Sequence, residues 1–266
     1  MTAGKGRGLS GYYGTEAQQR LQRKSDRLTP WIMRTPGACL TGRVMGADDP
    51  ARLGWDIIRD HLREDGAFSF RWIAPDGLEE IKQQTADLGV ELHTWNGFWR
   101  ASGAVRGAIR DTLGQDLPDG VTTQVVDTRT VTTLQAFYVA NGIAPLSAAV
   151  LTGDICTARS LVATAADGTI LAAGFVGMMQ NAHSPLHDCA WVGLIACDPA
   201  ARGKGLGRRV TSELIALALD DLGAARVMGF AAGDNAASRA MLQGCGLEPV
   251  DRASYVTTLS AMRFTR

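Results

Sequence analysis

Apolar positions along the chain switch repeatedly between helical and strand-like spacing. After Asp49-Pro50, the residues Leu53, Ile57, Ile58 and Leu62 recur on one helical face, predicting a helix to about Glu64. Ala67 to Ile73 alternates as a strand. Pro75-Asp76-Gly77 reads as a turn, Leu78 to Leu88 as a helix ended by Gly89, and Val90 to Trp95 as a strand. Leu117-Pro118-Asp119-Gly120 is the best linker. Beyond it, Val121 to Val126 is strand-like and Thr130 to about Val139 helical. Ser160 to Thr164 and Ile170 to Met178 form a hairpin around Asp167-Gly168. The remaining order is a strand (Trp191 to Cys197), a helix (Leu206 to Leu222), a strand (Arg226 to Ala231), a helix (Ala236 to Gln243) and a strand (Tyr255 to Met262). The pattern predicts a mixed α/β chain: a tail over 1–28, an N-terminal α/β region over 29–118 and a second α/β domain over 121–266.

Composition narrows the function classes. The 266 residues carry 27 Lys+Arg against 27 Asp+Glu, and residues 1–120 hold 16 of each sign. No strong field is offered to nucleic acid or to an anionic membrane, so neither is expected as a partner. Five cysteines without a C-x-x-C pair suggest reduced thiols, not a disulfide framework or a thiolate metal site. The N-terminus has no apolar segment of signal-peptide type, and no apolar run approaches the ~20 residues of a membrane span. A soluble, cytoplasmic protein is expected.

The most informative stretch is Trp191-Val192-Gly193-Leu194-Ile195-Ala196-Cys197-Asp198-Pro199-Ala200-Ala201-Arg202-Gly203-Lys204-Gly205-Leu206-Gly207-Arg208. A strand ends at Asp-Pro, three glycines fall within five residues, and an amphipathic helix follows. Glycines let backbone approach a ligand, and a helix N-terminus presents free N–H groups with partial positive charge. Together they make a seat for phosphate, with Arg202, Lys204, Arg208 and Arg209 adding charge. The Gly-Lys-Ser/Thr of a Walker A loop is missing, as is the last glycine of a dinucleotide G-x-G-x-x-G. A plain glycine turn that lets a helix pack on a strand would leave the same pattern.

Arg202-x-x-Gly205-x-Gly207 after the apolar strand resembles the R/Q-x-x-G-x-G/A signature of the GNAT superfamily of N-acetyltransferases. Asp234-Asn235-Ala236-Ala237-Ser238-Arg239-Ala240-Met241-Leu242-Gln243-Gly244-Cys245-Gly246-Leu247 is similar to the family's N-x-x-A/S-x-x-L-Y-x-x-x-G-F segment. One helix and one strand separate the two motifs, and the resemblance covers about residues 121–266. It implies a mostly antiparallel mixed sheet flanked by helices, with the N-terminal α/β region as an addition. It also implies acetyl-CoA as co-substrate and no metal. Main-chain groups of Ile195, Ala196 and Cys197 would hold the pantetheine arm. Arg202, Gly203, Lys204, Gly205, Leu206, Gly207 and Arg208 would seat the pyrophosphate, and Asn235 with Ser238 would contact the arm.

The implied chemistry is direct attack of a neutral amine on the thioester. His187 and Asp188, just before the signature strand, are the candidates for the base. Leu242 stands where the family often has a tyrosine acid, and Tyr255 is the candidate substitute. His183 and His187 are four apart, but Pro185 argues against a helical metal pair. His61 and His93 read as structural, and Cys197 as a small apolar residue. Trp95-Asn96-Gly97-Phe98-Trp99-Arg100 is either core or a wall of the acceptor pocket. The N-terminal region is open to being a degenerate acetyltransferase-like half without its phosphate loop, so one coenzyme site is expected. Three functions remain: acetylation of a small-molecule amine, acetylation of a protein or peptide, and a non-catalytic CoA-binding module. The neutral charge favours the first, and a homodimer is left open.

Overall fold

The computed structural model describes residues 11–259. In chain order the helices and strands are α1 (Glu16–Ile32), β1 (Ala38–Cys39), β2 (Gly46–Ala47), α2 (Pro50–Leu53), α3 (Trp55–Asp65), β3 (Ala67–Ile73), α4 (Pro75–Thr85), β4 (Val90–Ala101) and α5 (Ser102–Leu113). There follow β5 (Thr122–Val125), α6 (Val131–Ala140), α7 (Ala148–Thr152), β6 (Ala158–Thr164), β7 (Ile170–Met178), β8 (Cys189–Cys197), α8 (Leu206–Asp220), β9 (Arg226–Ala231), α9 (Ala236–Gly244) and β10 (Glu248–Leu259). The expected continuation of the last strand to Met262 lies outside the described residues.

The ten strands form one sheet in the order β1-β2-β3-β10-β4-β9-β8-β7-β6-β5. Only the β2–β3 and β8–β9 pairs are parallel. The mixed, mostly antiparallel α/β class expected from the sequence is the one observed. The regions before and after the 117–120 linker nevertheless share their strands. β4 lies between β9 and β10, and β10 lies between β3 and β4.

From β1 to β7 this order is palindromic, with β6 and β5 added at one edge. The unit β1-β2-α3-β3-α4-β4 repeats as β7-β8-α8-β9-α9-β10. Each has an antiparallel pair, a helical crossover to a parallel strand, and a helix leading to a long last strand. The two last strands are exchanged, each lying beside the other unit's parallel strand.

Two apolar cores lie against the sheet. One gathers Val105 and Ile109 of α5 and Leu206, Val210, Leu214 and Ile215 of α8 with Val192, Val227 and Phe98. The other joins Ile58 and Leu62 of α3, Leu134 and Tyr138 of α6, and Val150 and Leu151 of α7 to Phe68, Phe70, Phe175 and Trp191.

Differences from the sequence reading have local causes. Within the stretch expected to be a tail, residues 16–32 form α1, started by a capping box between Thr15 and Gln18. Its inward face is partly polar: Gln22 is buried and donates to the carbonyls of Tyr13 and Pro145. The helix expected from Asp49 to Glu64 breaks at Gly54, whose φ is 100°. Pro75 starts α4 instead of a turn, because proline is tolerated in the first helical turn. α5, read from no pattern, spans residues 102–113.

Candidate active site

β8 and β9 pair only over Cys189–Trp191 and Arg226–Met228, and then diverge. Beyond Trp191, β8 turns no ladder toward β9, so its main-chain groups on that side are open to a ligand. A bulge marks the divergence. Leu194 and Ile195 stand opposite Gly174 alone, and Leu194 has φ 54°. Gly174 is needed there, since a Cβ would come within 2.5 Å of Ile195 and 2.6 Å of Leu214.

A cavity of about 980 Å³ opens at this divergence. It runs through the sheet, because its walls include Trp191 and Phe230 from one apolar core and Val192, Ala231 and Leu242 from the other. The α9 side contributes Asn235, Ser238 and Met241; the opposite side contributes Arg43, Arg71, His93 and Trp95.

The glycine loop lies beside it at the α8 tip. Gly203 and Gly205 both have φ 77° and open space where a Cβ would project. Gly205 is the N-cap of α8 and no side chain caps the helix. Arg202, Gly203, Lys204, Gly205 and Arg208 are solvent-exposed, Leu206 is buried beneath them, and a Cβ added at Gly207 would stand 3.2 Å from Cys197 Sγ. The Arg202 side chain folds back to donate to the Cys197 carbonyl at 3.3 Å. Burial raises the Cys197 thiol, which suits a packing role. The tip therefore offers N–H groups and cations to an anion, with no side chain capping α8.

The crossover of the first unit is built differently. It opens with the four-residue α2, where Asp49 accepts from the Arg52 N–H at 3.1 Å, and only then reaches α3, whose N-cap Gly54 carries no side-chain cap.

Ile195 lies on the cavity wall, while Ala196 and Cys197 continue β8 toward the loop. Asn235 caps α9 by accepting from the Ser238 N–H at 3.0 Å, and both residues line the cavity. The side chain thus has a local structural task and still faces the cleft.

The three candidates for acid and base lie elsewhere. Asp188 precedes Gly193 by five residues, roughly 16 Å along a strand. It is held by Arg226, whose hydrogen bond and charge keep its carboxyl below the usual range. His187 is exposed, with Nδ1 3.0 Å from the Ser184 carbonyl. Tyr255 is buried, and its strand neighbours Ser254 and Val256 are the ones on the cavity wall. Strand alternation turns Tyr255 to the other face, where burial first and then Asp251 raise its phenol.

Three of the groups that do face the cavity were read differently or not at all from sequence. His93, expected to be structural, lies on the wall with Nε2 3.1 Å from Thr258 Oγ1. Arg43 and Arg71 were not singled out. Arg71 stands at a second bulge, where Arg71 and Trp72 face Ser254 alone and Trp72 has φ 61°. Its guanidinium stacks over Trp191 at 4.7 Å and Phe230 at 5.3 Å. Burial lowers both arginines, Arg43 to about 10 with Arg71's charge as second cause. Of the aromatic run, Trp95 lines the cavity while Phe98 is core. No group of His, Cys, Asp and Glu suited to a metal occurs among the described residues. No described helix is long and apolar enough to cross a membrane.

Comparison with known proteins agrees with this geometry. Residues 135–247 match the acetyltransferase (GNAT) family. No curated protein matches the chain. Among solved structures, a Drosophila protein superposes with TM-score 0.59 at 15% identity, covering 92% of this chain and 90% of its own. A GCN5-related N-acetyltransferase from Kribbella flavida gives 0.55 at 14% identity, covering 91% and 96%. A tandem GNAT protein from the clavulanic acid biosynthesis pathway gives 0.54 at 15% identity, covering 90% and 89%. At these identities the structural likeness speaks for the fold.

Proposed function

From the premise that residues 135–247 are a GNAT-family acetyltransferase segment, we infer that this protein moves an acetyl group from acetyl-CoA to the primary amine of a small molecule. The observation that carries the reading is the single cavity joining the α8–α9 side of the sheet to the Arg43–Arg71 side at the β8–β9 divergence. Its volume of about 980 Å³ falls within the range of small-molecule sites. Walls on both sides favour a small acceptor over an extended peptide.

The residues fit the coenzyme. Gly203 and Gly205 leave a cradle that a Cβ would fill, and the uncapped α8 tip with Lys204 and Arg208 would hold the pyrophosphate. The edge of β8 from Gly193 to Cys197 would pair with the pantetheine amides, and Asn235 and Ser238 would flank the arm. Acetyl-CoA supplies an acetyl group activated as a thioester. The bulge at Leu194 turns main-chain N–H groups into the divergence, where they would stabilise charge on the carbonyl oxygen. His93, on the acceptor side and oriented by Thr258, is best placed to take the proton that the amine gives up. Leu242 can donate no proton to the departing sulfur, so solvent is left to do so.

We read the N-terminal region as a degenerate half of the same kind. The repeated strand and helix order supports this, and the lack of an R-x-x-G-x-G run in residues 1–120 supports one coenzyme site per chain.

The test is thiol release from acetyl-CoA on a panel of primary amines. Turnover on at least one small amine is expected. Binding of acetyl-CoA without turnover on any amine would favour the non-catalytic module, and turnover confined to peptides would favour the protein acetyltransferase.

A further inference from the structure

Arg43 and Arg71 are placed where acetyl transfer gives them no task. Arg43 lies in the loop between β1 and β2, and Arg71 at the β3 bulge, on the cavity side opposite the α8 tip. Both residues are half-buried on the cavity wall, and Arg43 Nε, Arg43 Nη2 and Arg71 Nε are buried with no hydrogen-bond partner. Trp191 Nε1, on the same wall, is a further buried donor without an acceptor. The other groups acting on the pair are the Tyr138 phenol beside Arg43 and the Cys39 thiol beside Arg71. Asp48, the nearby carboxylate that acts on Cys39, accepts from Ser184 Oγ and forms no ion pair with either arginine.

Two guanidiniums side by side, with buried N–H groups that no acceptor answers, are costly unless a ligand supplies one. The missing partner must be anionic, and guanidinium forks match the planar, two-oxygen shape of a carboxylate. Arg71 is fixed for that task, since its guanidinium stacks on Trp191 and Phe230 and the residue lines the cavity. We propose that Arg43 and Arg71 bind a carboxylate on the acceptor, so that the substrate is a primary amine bearing a carboxylate, as amino acids are. This rests on the acetyl-transfer reading and names the acceptor class for it.

The experiment measures thiol release by the full chain with each common amino acid and β-alanine, each beside its carboxamide. For the best acceptor, kcat/KM is expected to exceed that of its amide by about 100-fold or more. Equal rates for acid and amide overturn the proposal. Arg71→Met and Arg43→Met are expected to raise KM for the acid at least 30-fold while the acetyl-CoA dissociation constant stays within twofold. Melting temperatures at or above wild type are expected, because an apolar chain replaces an unpaired cation. Loss of melting temperature and acetyl-CoA binding together in both variants would mean a structural role and overturn it. If no amine is acetylated at all, the enzymatic reading fails, and the site is read by thermal shift with millimolar amino acids against their amides. Stabilisation of wild type by the acids, absent in Arg71→Met, upholds the carboxylate site; no stabilisation overturns it.

Discussion

Gly205 shows how much depends on one missing side chain. At φ 77° any other L-residue is strained, and the Cβ would project into the space left for an anion. Gly205→Ala is expected to cost about 1–2 kcal/mol of stability and to weaken acetyl-CoA binding, both readable by thermal melting and calorimetry. His93→Gln is expected to lower kcat about 100-fold with acetyl-CoA affinity unchanged. An undiminished kcat would return proton removal to water. Asp48 offers a separate test by pH. Burial raises its carboxyl to about 6, so the folded state holds a proton that the unfolded chain releases near pH 4. That contribution is fully present below the unfolded value and is lost as pH rises through about 6, a swing of at most about 3 kcal/mol. Asp48→Asn keeps an acceptor for Ser184 and is expected to flatten the pH 4–6 slope of chemically induced unfolding.

At the scale of elements, the parts that announce themselves in sequence are those whose geometry is local. The glycine spacing before Leu206 and the apolar face of Val210 and Leu214 make the loop and α8 legible, as do the β6–β7 hairpin and the strand–helix order after Trp191. α1 was not legible because its buried positions include the polar Gln22, Ser25 and Thr29, and Gln22 is answered by the distant Pro145 carbonyl. The site was legible only in its coenzyme half. Arg43, Arg71 and His93 lie 98 or more residues before Trp191 and are joined to it by the exchange of β4 and β10. No spacing rule reports such a contact. The two bulges were also invisible, since Leu194 and Trp72 are ordinary residues in extraordinary conformations. Gly193 tests the β8 wall: a Cβ there would meet the Trp191 ring at 2.4 Å. Gly193→Ala is expected to displace that indole and reduce turnover at least tenfold, with the α8 tip still binding acetyl-CoA.

At the scale of the molecule, the exchange of last strands decides what can stand alone. A fragment covering 121–266 would lose β4, and with it the partner that β9 and β10 share. It is expected to be insoluble or molten by itself and to regain structure when co-expressed with 1–120. A cooperatively folded, coenzyme-binding fragment would show that the halves are independent. The palindromic sheet also gives the molecule two crossovers in equivalent places, one entering α8 at the open Gly205 tip and one passing through α2, capped by Asp49, before α3 begins after Gly54. The measurement that tests the central claim most directly is isothermal titration of the full chain with acetyl-CoA, run beside Gly205→Asp, which puts a carboxylate at the open α8 tip. The account requires one acetyl-CoA per chain and a loss of at least 100-fold in affinity for the variant. No heat with the wild type, or equal affinity in the variant, would contradict it.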